Sequence, residues 1–486
     1  MSEGSASAGR GTVRSGILTG ISTAAVSGSA AILGVILSRK FGHGVRTDGF
    51  FAAYNVYLAL VLVASSLRVI VLPRFALART EGRLATETGA WLAALTPPLA
   101  VIVAAVLLWP QGIANALSSN GATADVAREL LPWVVVSAVA QIYAGLVASA
   151  LAALDDYEWA AYGFAIGSIA GVVLTLALVD HGVISFGWGL ALNGVLTLAI
   201  PLAGLLLRQS VRYAGLRSGH RLLELGEGIA VPVALQGIYV IGYRFATGTG
   251  AGHATTFSYA YLIAAFLVAI TAASVALVST VPFARAGAAP ERVARHVVAV
   301  SWVSLVPIAA AAGFFALVGE PVARRVLGSA YGGGTGSELG RLVVYLSPWM
   351  VASVAVTVTY PLVFVRGRAS WLPALAAVAL GAQVLLAWGG QAAFGLAGIA
   401  GALAVTTALV LAALLASLRA LARTAEGVLA AALVCGALAA AAFGLPRLLL
   451  GPVAAAVAGV VVYAAVLAVW RPNGLRQAWA YLHALQ

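Results

Sequence analysis

Charged residues, cysteine and lysine are scarce in this chain of 486 residues. Asp, Glu, Lys and Arg make up only 9% of the sequence, whereas 62% is hydrophobic. No globular core of this length could bury so much apolar surface, which excludes a water-soluble globular protein. The single cysteine, Cys435, excludes an internal disulfide bond and any cysteine metal cluster.

The hydrophobic residues are gathered in about fourteen apolar runs, each long enough to cross a bilayer core of roughly 30 Å as a helix. The mean hydropathy is +1.00, which agrees with burial in lipid. The sequence therefore predicts an all-α polytopic membrane protein with about 14 transmembrane helices, arranged as two six-helix lobes plus two C-terminal helices.

Positive charge is distributed unevenly between the predicted loops. The formal net charge is +12, and roughly two thirds of the basic residues fall in alternate loops, which the positive-inside rule assigns to the cytoplasm. This distribution predicts that both termini are cytoplasmic. Because topology explains the excess charge, no nucleic-acid partner is predicted.

A basic segment divides the predicted spans into two lobes. The predicted organisation is a cytoplasmic tail (1–14), an N-lobe of helices 1–6 (15–208), a basic amphipathic linker (209–224), a C-lobe of helices 7–12 (225–417), and two extra helices with a cytoplasmic tail (418–486). Segment 47–73 aligns without gaps on 256–282 as a weak internal repeat, and transporters commonly consist of two repeated halves. The alternative for 209–224 is a plain positive-inside loop.

One arginine within a predicted span, Arg68, indicates a candidate substrate site because a charge inside a bilayer is costly. On a helical wheel, Tyr54, Tyr57 and Ser65 share its face. Such a face could line a cavity and hold a phosphate through charge-assisted hydrogen bonds. Alternatively, Arg68 extends its guanidinium to lipid headgroups near the cytoplasmic end of the span.

Arg244 is the second arginine within a predicted span, and Gln236 and Tyr243 occupy adjoining faces of the same helix. If the two lobes are related, these three residues would approach the substrate from the C-lobe. Contact of Arg244 with headgroups is again the alternative.

Asp48 follows the basic residues Arg39, Lys40 and Arg46 at the predicted outer end of the second span. This pattern predicts a local ion pair with one of the bases and a helix N-cap at Asp48. The alternative is an outer gate formed by Arg39, Arg46 and Asp48.

Carboxylates are absent from the centres of the predicted spans. A coupling cation is normally held by a carboxylate, so a cation-coupled drug antiporter is disfavoured. The six histidines lie in or beside predicted loops without the spacing of a zinc protease, and no catalytic residue, metal site or cofactor is predicted. The string YGGGTGSELG, which begins at Tyr331, lacks the lysine of a phosphate loop and is predicted to be a flexible outer loop.

Two parts of the chain carry a family resemblance. The first is ILGVILSRKFGHGVRTDGFFAAYNV (32–56) with VLPRFALAR (71–79), and the second is TTFSYAYLIAAFLVAITAASVALVSTVPFARA (255–286). Both resemble the MurJ/MviN-type lipid II flippases of the multidrug/oligosaccharidyl-lipid/polysaccharide (MOP) exporter superfamily. The resemblance implies twelve core helices and two more that border a groove for a polyprenyl tail. It further implies a non-enzymatic flippase that moves a polyprenyl-linked glycan lipid across the bacterial inner membrane by alternating access.

The chain departs from that family where the family has arginines that face the central cavity. No basic residue lies in 27–36, ALVLVASS (59–66) replaces an arginine pair, and Tyr261 and Leu262 replace an Asp-Arg pair. These departures from the family imply a central cavity that is less basic than that of a lipid II flippase. The alternatives are a MOP exporter of a small amphiphile or drug, and a transport-inactive membrane scaffold that recruits cell-envelope synthesis proteins. Membrane lipids are partners in each case.

Overall fold

The computed structural model describes residues 22, 25–209, 218–273, 289–366 and 369–483. Within these ranges the secondary structure is helical and includes no strand, as the sequence predicts. The tail 1–14, half of the linker (210–217) and the end of the second repeat copy (274–282) lie outside the described residues.

The described helices follow one another along the chain with short connections. They are α1 (25–41), α2 (Val45–Thr80), α3 (Leu84–Leu108), α4 (Pro110–Leu117), α5 (Gly121–Ala153), α6 (Glu158–Ala177), α7 (Ile184–Arg208), α8 (Ser218–Thr247), α9 (His253–Val268), α10 (Pro290–Leu327), α11 (Gly334–Tyr345), α12 (Ser347–Val365), α13 (Leu372–Ser417), α14 (Leu421–Arg447), α15 (Pro452–Trp470) and α16 (Asn473–His483). A π-helical turn, Ala269–Ala273, extends α9.

Twelve of the described helices are long and apolar enough to cross a membrane. One of them, α13, contains two spans, because Gly395 has non-helical angles (φ 59°, ψ −134°). A Cβ on Gly398 would lie 1.9 Å from the carbonyl oxygen of Gly390, whereas these residues would be about 12 Å apart in a continuous helix. The chain therefore reverses at Gly395, and the two halves of α13 form a helical hairpin.

Residues Met1–Gln236 form the first of two compact units, and α5 is its central helix, packed against α2 and α7. Glycines bring the backbones together at these crossings: a Cβ on Gly145 of α5 would lie 3.2 Å from the Ala64 carbonyl oxygen of α2, and one on Gly194 of α7 would lie 2.6 Å from the Ser137 Cα. Small residues dominate such contacts because apolar side chains gain little by leaving lipid for protein.

Residues Gly237–Gln486 form the second unit, in which α10 is the central helix. The two helices α14 and α15 pack on α10 through Phe443, which lies against Gly313 and Gly459. The Tyr463 hydroxyl donates a hydrogen bond to the Val306 carbonyl, 3.2 Å away. The outward faces of α14 and α15 remain apolar and exposed, at Leu429, Leu433, Val453, Val457 and Val461.

The two copies of the predicted repeat begin with the same local structure. Thr47 of α2 and Thr256 of α9 are both fully buried in the first turn of their helices. Each hydroxyl donates a hydrogen bond to a preceding glycine carbonyl, Thr47 to Gly42 (2.9 Å) and Thr256 to Gly252 (3.3 Å). This shared helix start supports the interpretation of 47–73 and 256–282 as repeats.

The prediction of a flexible outer loop at YGGGTGSELG is wrong. Its first residue, Tyr331, is fully buried and ends a short 3-10 helix, and α11 begins at Gly334. Gly340 of α11 meets Gly319 of α10 so closely that a Cβ on Gly319 would lie 2.6 Å from the Gly340 Cα. Gly340 therefore serves close helix packing, which a composition rich in glycine does not distinguish from flexibility.

Candidate functional site

A row of stacked rings follows one side of α2. The rings of Tyr54 and Tyr57 stack with their centroids 5.3 Å apart, and Phe50 stacks on Tyr54 at the same distance. Both tyrosines are half-buried within the first unit. The side chain of Ser65, the third predicted polar neighbour of Arg68, lies outside the described residues.

Arg68 lies where α2 crosses α5. A Cβ on Gly145 of α5 would be 3.5 Å from the Arg68 Cγ, so the aliphatic part of the side chain lies along this glycine. The side chain as a whole is exposed within its unit. Beyond Arg68, α2 continues for about 18 Å to Thr80, at 1.5 Å per residue. Arg68 therefore lies farther from the end of α2 than Arg74 and Arg79 do.

Asn55 is a buried polar residue of α2 that the sequence analysis missed. It is 0% exposed, and neither its Nδ2 nor its Oδ1 has a hydrogen-bond partner among the described residues. Leaving a buried amide unpaired costs about 1–3 kcal/mol, so a water molecule or a ligand is expected to contact it. An asparagine within the apolar string AAYNVY was the available signal.

Asp48 lies inside α2 rather than before it. The helix begins at Val45 with Gly44 as its N-cap, so the predicted N-cap role of Asp48 is wrong. A carboxylate in the first turn still interacts favourably with the positive end of the helix dipole. Asp48 is 1% exposed, whereas Arg39 and Arg46, the other candidate outer-gate residues, are exposed.

The neighbouring base, Lys40, pairs with Asp180, which follows α6. The Lys40 Nζ lies 2.8 Å from the Asp180 Oδ1. This hydrogen bond and the charge of Lys40 lower the pKa of Asp180 below its usual value. The contact links the end of α1 to the segment between α6 and α7.

Tyr243 of α8 is fully buried in the second unit. It belongs to an aromatic cluster that consists of Tyr239, Tyr243, Phe257, Tyr261 and Trp349. Tyr239 and Tyr261 stack at 3.7 Å, Tyr261 lies 4.9 Å from Trp349, and Tyr239 donates a hydrogen bond to Ser258 Oγ at 2.9 Å. Tyr261 thus packs against aromatic rings at the position where the resembling family has an Asp-Arg pair.

Arg244 is half-buried near the end of α8. The adjoining residue, Phe245, accepts a hydrogen bond from Gln391 Nε2 at 3.0 Å, which fixes this end of α8 to α13. Gln236 is 5% exposed, and its Nε2 has no hydrogen-bond partner among the described residues. Arg68 and Arg244 belong to different units.

Four charged residues hold the start of α8 within the first unit. In this basal ion-pair cluster, Arg221 of α8 contacts Glu87 of α3 at 2.9 Å, and Glu224 of α8 pairs with Arg74 of α2. The Arg74 guanidinium also lies 5.9 Å from the ring centroid of Trp91. Sequence analysis missed the cluster because its partners are far apart along the chain.

We expect Arg221→Gln to loosen the start of α8. The pair with Glu87 is partly buried, with side chains 18% and 21% exposed, and its loss should cost about 1 kcal/mol. Hydrogen exchange in 218–231 should become roughly fivefold faster. Arg83→Gln is the control, because Arg83 pairs only locally with Glu81 and should leave the exchange unchanged. Unchanged exchange in Arg221→Gln would show that α8 does not depend on the pair.

Metal-ligating residues are not gathered in the described part of the chain, where no group of three or more His, Cys, Asp or Glu side chains could hold a metal ion. His296, expected in or beside a loop, lies inside α10 and is fully buried. Its ring centroid is 5.8 Å from that of Tyr481 in α16, which shows a packing contact between the two helices.

The fold is that of known membrane transporters. No family model and no curated protein matches the chain. Lipid II flippase MurJ in an inward closed conformation is similar over 93% of this chain and 98% of that chain, with a TM-score of 0.72 and 14% identity. An inward-facing multidrug resistance MATE family transporter of the MOP superfamily covers 86% and 95% of the two chains (TM-score 0.60, 13% identity). MATE in the bent conformation covers 87% and 96% (TM-score 0.57, 15% identity). The similarity confirms the predicted fold, and these proteins are transporters rather than enzymes.

Proposed function

We propose that this chain is a MurJ-like flippase that moves a polyprenyl-linked cell-envelope glycan precursor across the bacterial inner membrane, with both termini cytoplasmic. The observation that carries the proposal is the greater similarity to MurJ, with a TM-score of 0.72 over 93% of the chain, than to the MATE transporter that covers 86% with a TM-score of 0.60. The similarity to MurJ covers more of this chain than the similarity to the MATE transporter does. Two helices beyond a twelve-helix core, here α14 and α15, would account for this difference.

The chemistry of α2 suits a phosphate-bearing lipid. An exposed guanidinium at Arg68 can donate two parallel hydrogen bonds to phosphate oxygens, and the stacked rings of Tyr54 and Tyr57 offer flat surfaces for a sugar. The polyprenyl tail would remain in lipid, where the exposed apolar faces of α14 and α15 can contact it.

Alternating access requires an element that can bend, and α8 has a suitable position. Its first part is held in unit 1 by the basal ion-pair cluster, and its last part is fixed in unit 2 by Gln391. Between them Pro232 interrupts the hydrogen-bond ladder of the helix. Bending of α8 at Pro232 would let the two ends follow different movements.

The arrangement of carboxylates favours a flippase over a cation-coupled drug exporter. Among the described residues, Asp and Glu lie in connections or within the first ten residues of their helices, except Glu320, which follows the kink of α10 at Val318. A coupling cation held by a carboxylate would need one near the centre of a span.

Reconstituted protein can separate the three candidate functions. Proteoliposomes that contain a fluorescent polyprenyl-phosphate saccharide should show protein-dependent transfer of the sugar to the opposite leaflet, measured by accessibility to a membrane-impermeant quencher. Transport of a small amphiphilic drug without transfer of the lipid would instead establish the exporter function. Protein that is folded but moves neither substrate would support the scaffold function.

Lipid II itself is expected to be a poor substrate. Each charge-assisted hydrogen bond to a pyrophosphate contributes about 1.5–3 kcal/mol, and apolar residues stand where the resembling family has arginines. Expression of this chain in cells depleted of their own MurJ should therefore fail to restore growth, and lipid II should accumulate in the inner leaflet. Full rescue at normal expression would show that those arginines are dispensable and that lipid II is transported.

A further inference from the structure

The short helix α16 is firmly docked on α10. Gly474 lies so close to Trp302 that a Cβ would be 2.3 Å from the Trp302 Cε2. Ala478 is 2% exposed, and the Tyr481 ring lies beside His296. These contacts recur at the helical period, so one side of α16 is covered by α10.

The other side of α16 is amphipathic. On a helical wheel Trp479 lies about 100° from Ala478 of the covered side, and Arg476 lies about 60° farther round, toward the polar side. Trp479 is 59% exposed, and Trp470 at the end of α15 is 58% exposed. Indole rings favour the boundary between headgroups and acyl chains, so this geometry is that of a helix lying in the membrane interface.

Positive charge surrounds this side of α16. Arg471 and Arg476 are exposed, as are Arg292 and Arg295 in the first turns of α10. Arg295 precedes His296, whose ring centroid lies 5.8 Å from that of Tyr481 in α16. In agreement with this contact, burial raises the pKa of Tyr481 and the charges of Arg295 and Arg292 oppose that rise.

Acidic residues near this surface are few. The last acidic residue of the sequence is Glu426. The carboxylate at the start of α10, Glu291, contacts Arg423 at 2.5 Å. The surface formed by Arg292, Arg295, Arg471, Arg476 and Trp479, termed the α16 surface, therefore carries a net positive charge.

We propose that the α16 surface is a binding site for the headgroup of an anionic phospholipid, with Trp479 beside the upper part of the acyl chains. The phosphate would accept hydrogen bonds from the guanidinium groups, and the docking of α16 on α10 would hold those groups in place without a conformational change. This inference is independent of the transported substrate.

Quenching by brominated lipids tests the proposal. The full-length protein is placed in phosphatidylcholine nanodiscs that contain a minority of either brominated phosphatidylglycerol or brominated phosphatidylcholine. The part of the quenching that is lost in Trp479→Phe reports on Trp479 alone. We expect brominated phosphatidylglycerol to quench the Trp479 fluorescence more strongly than brominated phosphatidylcholine does at the same mole fraction. This difference is the preference for the anionic lipid. Each arginine removed should weaken the preference about fivefold, since one basic residue near an anionic surface contributes about 1 kcal/mol.

Matched arginine variants supply the controls. Arg471→Gln/Arg476→Gln should weaken the preference about 25-fold, whereas Arg447→Gln should retain it, because the exposed Arg447 ends α14, beside the opposite end of α15. Equal quenching by the two lipids in the unmodified protein would overturn the proposal, as would an undiminished preference in the double variant. Absence of any Trp479-dependent quenching would also overturn it and would indicate that a protein partner or water covers the surface.

Discussion

Replacing Gly398 by valine is expected to prevent the two halves of α13 from packing. The Cβ would lie 1.9 Å from the Gly390 carbonyl oxygen, a backbone atom that cannot rotate away. Relief would require separation of the two helices, at a cost we place above about 3 kcal/mol. Since membrane and soluble domains alike are stable by only about 5–15 kcal/mol, the variant should give little folded protein in detergent. Thermal unfolding monitored by size-exclusion chromatography measures the effect.

The same helix offers a matched control. Gly401 lies one turn beyond Gly398, and a Cβ there would meet nothing within 4 Å. Gly401→Val should therefore unfold close to the temperature of the unmodified protein. The hairpin is also closed by a fully buried hydrogen bond from the Thr406 hydroxyl to the Gln383 Oε1, at 2.7 Å. Equal stability of Gly398→Val and Gly401→Val would contradict the hairpin.

The membrane fold could be predicted from the sequence because a bilayer leaves few solutions. A chain without water around its backbone must pair its own polar groups, and each apolar run then becomes a helix. The shared helix starts at Thr47 and Thr256 also follow from local sequence, since a threonine in the first turn can reach the carbonyl of a glycine four or five residues earlier. Such features depend on neighbours along the chain.

Features that depend on contacts between residues far apart along the chain could not be predicted from the sequence. Glycine in YGGGTGSELG indicated a loop, yet Gly340 is required by the approach of Gly319 from another helix. The helical wheel put Tyr243 on a face adjoining that of Arg244, but it could not show that Tyr243 is fully buried in the aromatic cluster. The pair of Arg221 with Glu87 likewise joins residues whose relation only the packing of α3 and α8 reveals.

Part of the candidate site could be predicted from the sequence, because it depends on residues that are neighbours along one helix. Tyr54 and Tyr57 are close along one helix, so their proximity follows from helical geometry. The distance of Arg68 from the end of α2 does not follow from helical geometry. It depends on where the helix ends, and the structure extends α2 to Thr80. Arg68 thus lies farther from the end of α2 than Arg74 and Arg79 do, and its role in substrate binding stays a prediction.

Substitution of Arg68 by leucine should leave insertion and folding intact while reducing lipid transfer at least tenfold. Insertion should be normal because the span becomes more apolar. Loss of a charge-assisted hydrogen bond to phosphate removes about 1.5–3 kcal/mol of binding, and each 1.4 kcal/mol corresponds to a factor of about ten. The proteoliposome assay with the polyprenyl-phosphate saccharide measures the transfer, and thermal unfolding verifies the fold.

Arg68→Lys distinguishes phosphate binding from anchoring in headgroups. Lysine keeps the charge but not the two parallel donors of the guanidinium, so a phosphate-binding site should recover only part of the activity. An anchoring role predicts a different pattern, in which lysine is fully active and leucine lowers stability rather than transfer. Full transfer by a stable Arg68→Leu variant would exclude Arg68 from the substrate site. Arg244, the other arginine within a predicted span, would then be the next residue to test for binding of the phosphate.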